Sequence, residues 1–108
     1  MNLPTEIFGS VAVVHAPDEL GGDLADRVQE FLTGLERSNV VFDLDNAELV
    51  DSAGLTMLLD VLDALRAQGG DLKIATTNAV NRKILEITRL DQQLEVFDTV
   101  VEAVKGFQ

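Results

Sequence analysis

The chain has 108 residues, of which 46% are hydrophobic and 25% charged, a composition typical of one globular domain over residues 1–108. Nineteen acidic residues against eight basic ones give a net charge of -11. This charge repels nucleic acids and anionic membrane surfaces, so a basic surface on another protein is the better candidate partner. The sequence contains no cysteine, no membrane-spanning apolar run and no signal-peptide pattern, and we therefore expect a cytoplasmic protein without disulfides or membrane insertion.

The first half of the chain alternates strand and helix patterns. Two β-prone segments, residues 3–8 and 11–15, flank Gly9-Ser10, which predicts a tight hairpin. A helix is predicted from Asp23, which we expect to be its N-cap, and its apolar residues share one face: Leu24, Val28, Phe31, Leu32 and Leu35. Residues 39–45 then contain Val40-Val41-Phe42, an unbroken apolar run that indicates a strand buried on both faces of a parallel sheet.

The longest predicted helix runs from Ser52 to about Gln68, and Gly69-Gly70 is expected to end it. Two adjoining apolar stripes indicate that this helix is heavily buried, while a narrow strip remains polar. The first stripe is Leu55, Leu58, Leu59, Leu62 and Leu65, the second is Met57, Val61 and Ala64, and the polar strip is Thr56, Asp60 and Asp63.

The second half continues with a strand over residues 71–76, a helix capped by Thr77 or Asn78, a short strand over 94–98 and a final helix. The predicted apolar faces are Val80, Ile84 and Ile87 in the third helix and Val100, Val101, Val104 and Phe107 in the fourth. The order β-β-α-β-α-β-α-β-α predicts an α/β fold. We expect a mixed, mostly parallel sheet of about five strands with an antiparallel edge hairpin, and about four helices.

The sequence offers little for catalysis or metal binding. His15 is the only histidine, and Ser52 lacks the glycine two residues earlier that a nucleophile elbow uses. Asp43, Asp45 and Asp51 lie near the end of one strand, as in the acidic site of a receiver domain, but the lysine that such a domain carries after its last strand has no counterpart here. We therefore predict no catalytic residue, no metal site, no cofactor and no enzymatic activity.

The segment Asp51-Ser52-Ala53-Gly54-Leu55 is the most informative in the chain, because it lies where an apolar run meets the start of the longest helix. Ser52 is either an ordinary helix cap or the acceptor of a phosphate, which the free N–H groups and the dipole of a helix start would stabilise. Ala53 and Gly54 are small and would leave the hydroxyl open to another protein.

From residue 3 to 107 the chain resembles the STAS domain, the family named for sulfate transporters and anti-sigma factor antagonists. The resemblance rests on the hairpin, the strand from Val40 to Leu44, the Asp51-to-Leu55 motif, Gly69-Gly70, the helix start at Ala79-Val80 and Leu90-Asp91. The motif Asp-Ser-x-Gly-Leu is typical of the bacterial antagonist branch. The resemblance implies the STAS-like fold described above, and a domain that binds other proteins.

In that branch an unphosphorylated antagonist binds an anti-sigma factor that is also a serine kinase, and a phosphatase resets the phosphorylated form. The resemblance implies that Ser52 is the phospho-acceptor. It also implies a partner surface formed by Glu19, Leu20, Asp23, Asp51, Ala53, Gly54 and Leu55. The family's Gly-Glu-Leu-Asp loop reads Asp18-Glu19-Leu20-Gly21 here, with Asp23 as a candidate substitute for the missing aspartate. The alternative is an unphosphorylated STAS subunit of a transport complex or signalling scaffold, and the sequence leaves the oligomeric state open.

Overall fold

The fold consists of seven strands and four α-helices in a computed structural model that describes residues 1–108. The strands are β1 (Thr5–Phe8), β2 (Val11–His15), β3 (Glu19–Leu20), β4 (Asn39–Asp43), β5 (Leu49–Val50), β6 (Asp71–Ala75) and β7 (Glu95–Phe97). The helices are α1 (Gly22–Thr33), α2 (Ser52–Ala67), α3 (Ala79–Ile87) and α4 (Val100–Lys105), and a 3₁₀ turn covers Leu90–Gln92.

Five of the strands form the main sheet in the order β1-β2-β4-β6-β7. The pair β1–β2 is antiparallel and the three other pairs are parallel. The predicted α/β fold is therefore confirmed, with its edge hairpin, its mostly parallel sheet of five strands and its four helices. No helix of this chain combines the length and the apolar character needed to cross a membrane.

A second, smaller sheet consists of β3 paired in parallel with β5, two residues from each strand. The sequence did not predict either strand, because two residues are too few to show an alternating pattern. This small sheet ends directly before α1 on one strand and directly before the Asp51-Ser52 motif on the other. It therefore brings the start of α1 next to the start of α2.

The main sheet is buried on both faces, and β4 shows this directly. Val40 and Phe42 belong to the larger core, which α1, α2 and α3 cover, whereas Val41 belongs to the smaller core under α4. Five of the eight residues in the two apolar stripes predicted for α2 are buried, namely Met57, Leu58, Val61, Leu62 and Leu65. The other three, Leu55, Leu59 and Ala64, are half-buried. The polar strip of Thr56, Asp60 and Asp63 is exposed, as predicted.

The prediction for the buried face of α3 was wrong. Val80 and Ile87 are 65% and 70% exposed, and the residues that face the core are Asn81 and Leu85. The side-chain amide of Asn81 donates to the backbone oxygens of Leu44 and Ala47, at 3.1 and 2.9 Å. Because these bonds satisfy its donors, a polar side chain takes the inward position and the aliphatic face of the helix turns outward.

Of the two predicted N-caps, the one for α3 is confirmed and the one for α1 is wrong. Asn78 caps α3 as predicted, and its side-chain oxygen accepts from the N–H groups of Val80 and Asn81. Asp23, by contrast, does not cap α1: the N-cap is Gly21, without a side-chain hydrogen bond, and Asp23 lies in the first turn. A carboxylate there is still favourable, because it faces the positive end of the helix dipole.

Candidate functional site

The start of α2 is capped by Asp51, and the serine that follows is the first residue of the helix. One carboxylate oxygen of Asp51, Oδ1, accepts from the N–H of Gly54 at 3.0 Å. This is the standard N-cap bond to the third residue of a helix. The sequence left open whether Ser52 was the cap; the structure assigns that role to Asp51, so the Ser52 hydroxyl takes no part in capping.

The second carboxylate oxygen of Asp51 forms a hydrogen bond with the start of α1. Oδ2 accepts from the N–H of Gly22, the first residue of α1, at 3.0 Å. The carboxylate approaches Gly21 so closely that a Cβ on that residue would lie 2.1 Å from it. In this arrangement a side chain at position 21 would collide with the Asp51 carboxylate, so the close approach depends on glycine there.

Gly54 allows an equally close contact on the opposite side of the motif. A Cβ at this position would lie 2.2 Å from the backbone oxygen of Leu20 at the end of β3. The N–H of Asp51 donates to the same oxygen at 3.2 Å. The first turn of α2 therefore packs directly against the small sheet. At the start of the other helix, Gly22 has a positive φ of 53°, which turns the chain into α1.

Ser52 is exposed and lies at one end of an open groove of about 390 Å³ between α1 and α2. Ala25 and Met57 are among the buried residues that line it. Two carboxylates, Asp26 and Asp60, and no basic residue are found among its lining residues. The surroundings of Ser52 are consequently acidic, and no arginine or lysine side chain is placed there to bind a phosphate.

The structure divides the predicted partner surface into exposed and supporting residues. Glu19, Asp23, Asp51 and Ala53 are exposed near Ser52, whereas Leu55 is half-buried. Leu20 is completely buried and Gly54 is buried as well. These two residues therefore pack beneath the exposed ones and are not themselves accessible to a partner. The sequence did not predict the groove beside Ser52. Its polar lining residues Asp26, Thr56 and Asp60 belong to the polar sides of two separate helices, and the sequence does not show that these sides face each other.

His15 has two carboxylate partners and lies at the end of β2. Its Nδ1 is 2.7 Å from Oδ2 of Asp43, and its Nε2 is 2.8 Å from Oε1 of Glu6. The hydrogen bond with Glu6, followed by that with Asp43, raises the pKa of His15 above its ordinary value of 6.5, against the opposing effect of partial burial. Because both ring nitrogens are engaged with carboxylates, neither is free to act as a base for Ser52.

The three aspartates considered for a metal site have separate structural roles. Asp43 pairs with His15, Asp51 caps the helices, and Oδ1 of Asp45 accepts from the backbone N–H of Thr77 at 2.6 Å and from the hydroxyl of Thr76 at 3.0 Å. Asp45 thereby ties the loop after β4 to the loop before α3. No group of three or more histidine, aspartate or glutamate side chains is arranged as ligands for a metal ion.

These features define a small α/β domain with a mixed sheet and an exposed serine at the start of its most buried helix. A sequence profile described as the STAS domain matches residues 2–103. The chain belongs to the STAS domain family.

Three relatives illustrate the sequence similarity. A Thermotoga neapolitana protein is named as a homologue of the anti-sigma factor antagonist TM1081. It is 27% identical over 71 residues, which cover 66% of this chain and 63% of that protein. The match to a Thermotoga maritima relative covers 55% of its length, so this chain spans less than two thirds of these first relatives. The anti-sigma F factor antagonist of Paenibacillus polymyxa is 24% identical over 110 residues, covering 96% of this chain and 94% of the relative.

Two solved structures share the fold. The crystal structure of TM1081 from Thermotoga maritima superimposes with a TM-score of 0.88 at 21% identity, covering 96% of this chain and 92% of that one. The phosphorylated form of the Bacillus protein SpoIIAA gives a TM-score of 0.73 at 15% identity, covering 99% of this chain and 100% of the other.

Proposed function

We propose that this domain is an anti-sigma factor antagonist that binds an anti-sigma factor with serine kinase activity, and that phosphorylation of Ser52 ends this binding. The observation that carries the proposal is the position of Ser52: it is exposed, it is the first residue of α2, and Asp51 has already capped the helix. The names of the three relatives support the assignment. So does SpoIIAA, which shares the fold and has been solved in both phosphorylated and unphosphorylated forms.

The free hydroxyl explains why a kinase could modify this serine without damage to the fold. Ser52 contributes no cap bond that a phosphate would break, since both bonds at this helix start are made by Asp51. The free N–H groups at the first turn and the helix dipole favour a negative group at the end of α2. Phosphorylation therefore acts as a local change of charge and volume.

The acidic surroundings explain how the phosphate would release a partner. A phosphoserine adds about -1.5 to -2 charges at pH 7. Asp51 is adjacent to Ser52, and Asp26 and Asp60 line the same groove without a basic residue among its lining residues. A partner bound here in the unphosphorylated state must desolvate these groups, and a dianion in the centre of the contact raises that cost and adds bulk.

The first experiment tests the acceptor. The protein is incubated with ATP and each candidate anti-sigma factor kinase of the same genome, and the phosphosite is mapped by mass spectrometry. Thr56→Ala is the matched control, because Thr56 is an exposed hydroxyl in the same groove one turn further along α2. We expect phosphate on the wild type and on Thr56→Ala, and none on Ser52→Ala.

The second experiment tests the switch by measuring the affinity of each variant for the kinase that phosphorylates it. We expect Ser52→Ala to bind as the wild type does, and Ser52→Asp and Ser52→Glu to bind more weakly. Treatment of the phosphorylated protein with its phosphatase should restore binding. Equal affinities for the alanine and acidic variants would refute the switch, and a chain that no candidate kinase phosphorylates or binds would favour the alternative of a STAS subunit in a transport or scaffold complex.

A further inference from the structure

Helix α4 covers the smaller core of the domain. This core has five buried residues, of which Val11, Val13, Val41 and Ala75 belong to strands and Ala103 belongs to α4. The larger core on the other face of the sheet has twenty buried residues and is covered by α1, α2 and α3. Less apolar area is therefore buried under α4 than under the other helices, and less free energy holds α4 in place.

No backbone hydrogen bond joins α4 to the sheet. Its bonds lie within residues 99–108, such as those from the N–H of Ala103 to the backbone oxygen of Thr99 and from the N–H of Gly106 to that of Glu102. The helix has six residues, and Ala103 is its buried residue. It can therefore leave the sheet as a unit without breaking the pairing of any strand.

A charged side chain is buried beneath the end of this helix. Lys73 lies in the middle of β6, and its side chain is 5% exposed. Its Nζ lies 4.8 Å from the ring centre of Phe107, just beyond α4, and 5.9 Å from the ring centre of Phe97 in β7. Both distances are within the range of a cation–π contact. If α4 lifted together with Phe107, the ammonium would regain water, and this hydration would offset part of the apolar contact that is lost.

An exposed carboxylate compensates this buried charge. Oε1 of Glu95 in β7 lies 2.8 Å from Nζ of Lys73, whereas Oδ2 of Asp71 lies 3.8 Å from it. The other oxygen of Asp71 accepts hydrogen bonds from Arg66 and from the N–H of Leu72. Glu95 is therefore the direct partner of Lys73, and its side chain is 64% exposed. A buried charge that loses its partner is strongly unfavourable, so the charge of Glu95 bears directly on the position of α4.

We propose that α4 is a lid that opens separately from the rest of the domain, and that the Lys73–Glu95 ion pair is its latch. With the pair intact, the buried ammonium is neutralised and the lid stays closed. Removal of the charge of Glu95 leaves the ammonium unpaired, and the lid then opens more often because Lys73 is solvated in the open state. Since Glu95 is on the surface, the latch can be released from outside the folded domain. The lid lies on the sheet face opposite α2, and its opening does not require Ser52.

The first test uses thiol labelling, because the chain has no cysteine of its own. Ala75→Cys places a thiol under α4. The matched control is Ala12→Cys, which places a thiol on the other face of the sheet, where Ala12 is paired with Val40 of the larger core. Ala75 and Ala12 lie in strands and are 1% and 0% exposed. In the absence of denaturant, we expect the thiol at position 75 to react with a chromogenic disulfide reagent about tenfold faster, or more, than the thiol at position 12.

Variants of the latch test what controls the opening. Glu95→Gln keeps the size of the side chain but removes its charge, and it should speed labelling at position 75 about fivefold or more while leaving position 12 unchanged. Lys73→Met removes the buried charge and keeps an apolar side chain, so it should cancel this increase when it is combined with Glu95→Gln. The matched control is Glu86→Gln, which removes an exposed carboxylate on α3 and should change neither rate. Ser52→Asp should also leave both rates unchanged.

Amide hydrogen exchange provides a second readout that needs no cysteine. The amides of Ala103 and Gly106 report on α4, and the amide of Leu62 in α2 reports on unfolding of the larger core. Glu95→Gln should speed exchange at the first two amides and not at Leu62. Lys73→Met should again cancel this increase.

Three results would overturn the proposal. The first is equal labelling at positions 75 and 12, because α4 would then open only when the whole domain unfolds. The second is an effect of Glu95→Gln that is absent, or that is as large at position 12 as at position 75. The third is an effect of Glu95→Gln that persists in the presence of Lys73→Met, because the buried charge would then not be its cause.

Discussion

Replacement of Asp51 tests whether one carboxylate holds the starts of two helices. In the structure, Oδ1 accepts from Gly54 in α2 and Oδ2 accepts from Gly22 in α1. Asp51→Ala removes both bonds. Asp51→Asn is the more informative change, because asparagine is as good an N-cap as aspartate but has a single side-chain oxygen. It can keep the bond to Gly54, but its NH₂ group would then face the N–H of Gly22.

The expected magnitudes follow from these two bonds. Loss of an N-cap side chain costs about 0.5–2 kcal/mol of unfolding free energy. The bond to Gly22 is exposed and therefore contributes at the lower end for a hydrogen bond, about 0.5–1 kcal/mol. We expect Asp51→Ala to cost about 1–3 kcal/mol in total, and Asp51→Asn about 0.5–1 kcal/mol, since it forfeits only the second bond.

The assay is urea unfolding at pH 7, followed by far-UV circular dichroism because the chain has no tryptophan or tyrosine. The matched control is Asp63→Ala, which removes one negative charge from an exposed position of the same helix. Amide hydrogen exchange adds a local readout: Asp51→Asn should accelerate exchange at Gly22 more than at Gly54, and Asp51→Ala should accelerate both. If Asp51→Ala costs no more than Asp63→Ala, the double cap does not stabilise the fold.

Two further predictions concern the core and pH. Leu62→Ala should cost about 2–5 kcal/mol, because Leu62 is buried in the larger core; a melting curve equal to that of the wild type would contradict its position in α2. Glu6 and Asp43 raise the pKa of His15 above 6.5, so its contribution to stability is fully present below pH 6.5 and is lost as the pH rises through the folded-state pKa. Unfolding free energy should fall in that window more steeply for the wild type than for His15→Gln, and parallel curves would show that the contacts of His15 do not stabilise the fold.

Long, strongly patterned segments made most of the fold predictable. The run Val40-Val41-Phe42 correctly indicated a strand buried on both faces, because such a run suits neither a helix surface nor an edge strand. The double stripe of α2 correctly indicated a helix packed against both a sheet and a neighbouring helix. In both cases burial of apolar area is the dominant free-energy term, and the sequence displays it directly.

The error in α3 shows where this reasoning fails. Hydrophobic periodicity selected Val80, Ile84 and Ile87 as the buried face, although Asn81 and Leu85 occupy it. A buried amide is favourable only where acceptors are already in place, and those acceptors belong to Leu44 and Ala47, far away in the sequence. The sequence contains the residues of this contact but not the fold that brings them together.

The site at Ser52 required the fold for the same reason. Residues 19–20 and 49–50 are too short to be recognised as strands, yet their pairing places Gly21 and Gly22 beside Asp51. Asp51 can then cap α2 and bind the first residue of α1, and this leaves the adjacent serine exposed and uncommitted. If Ser52 were the cap, a phosphate on its hydroxyl would compete with the bond that begins the helix. With the cap on Asp51, the helix start and the modifiable hydroxyl are separate groups, so a change of charge at Ser52 alters the surface without removing a cap bond that fixes it.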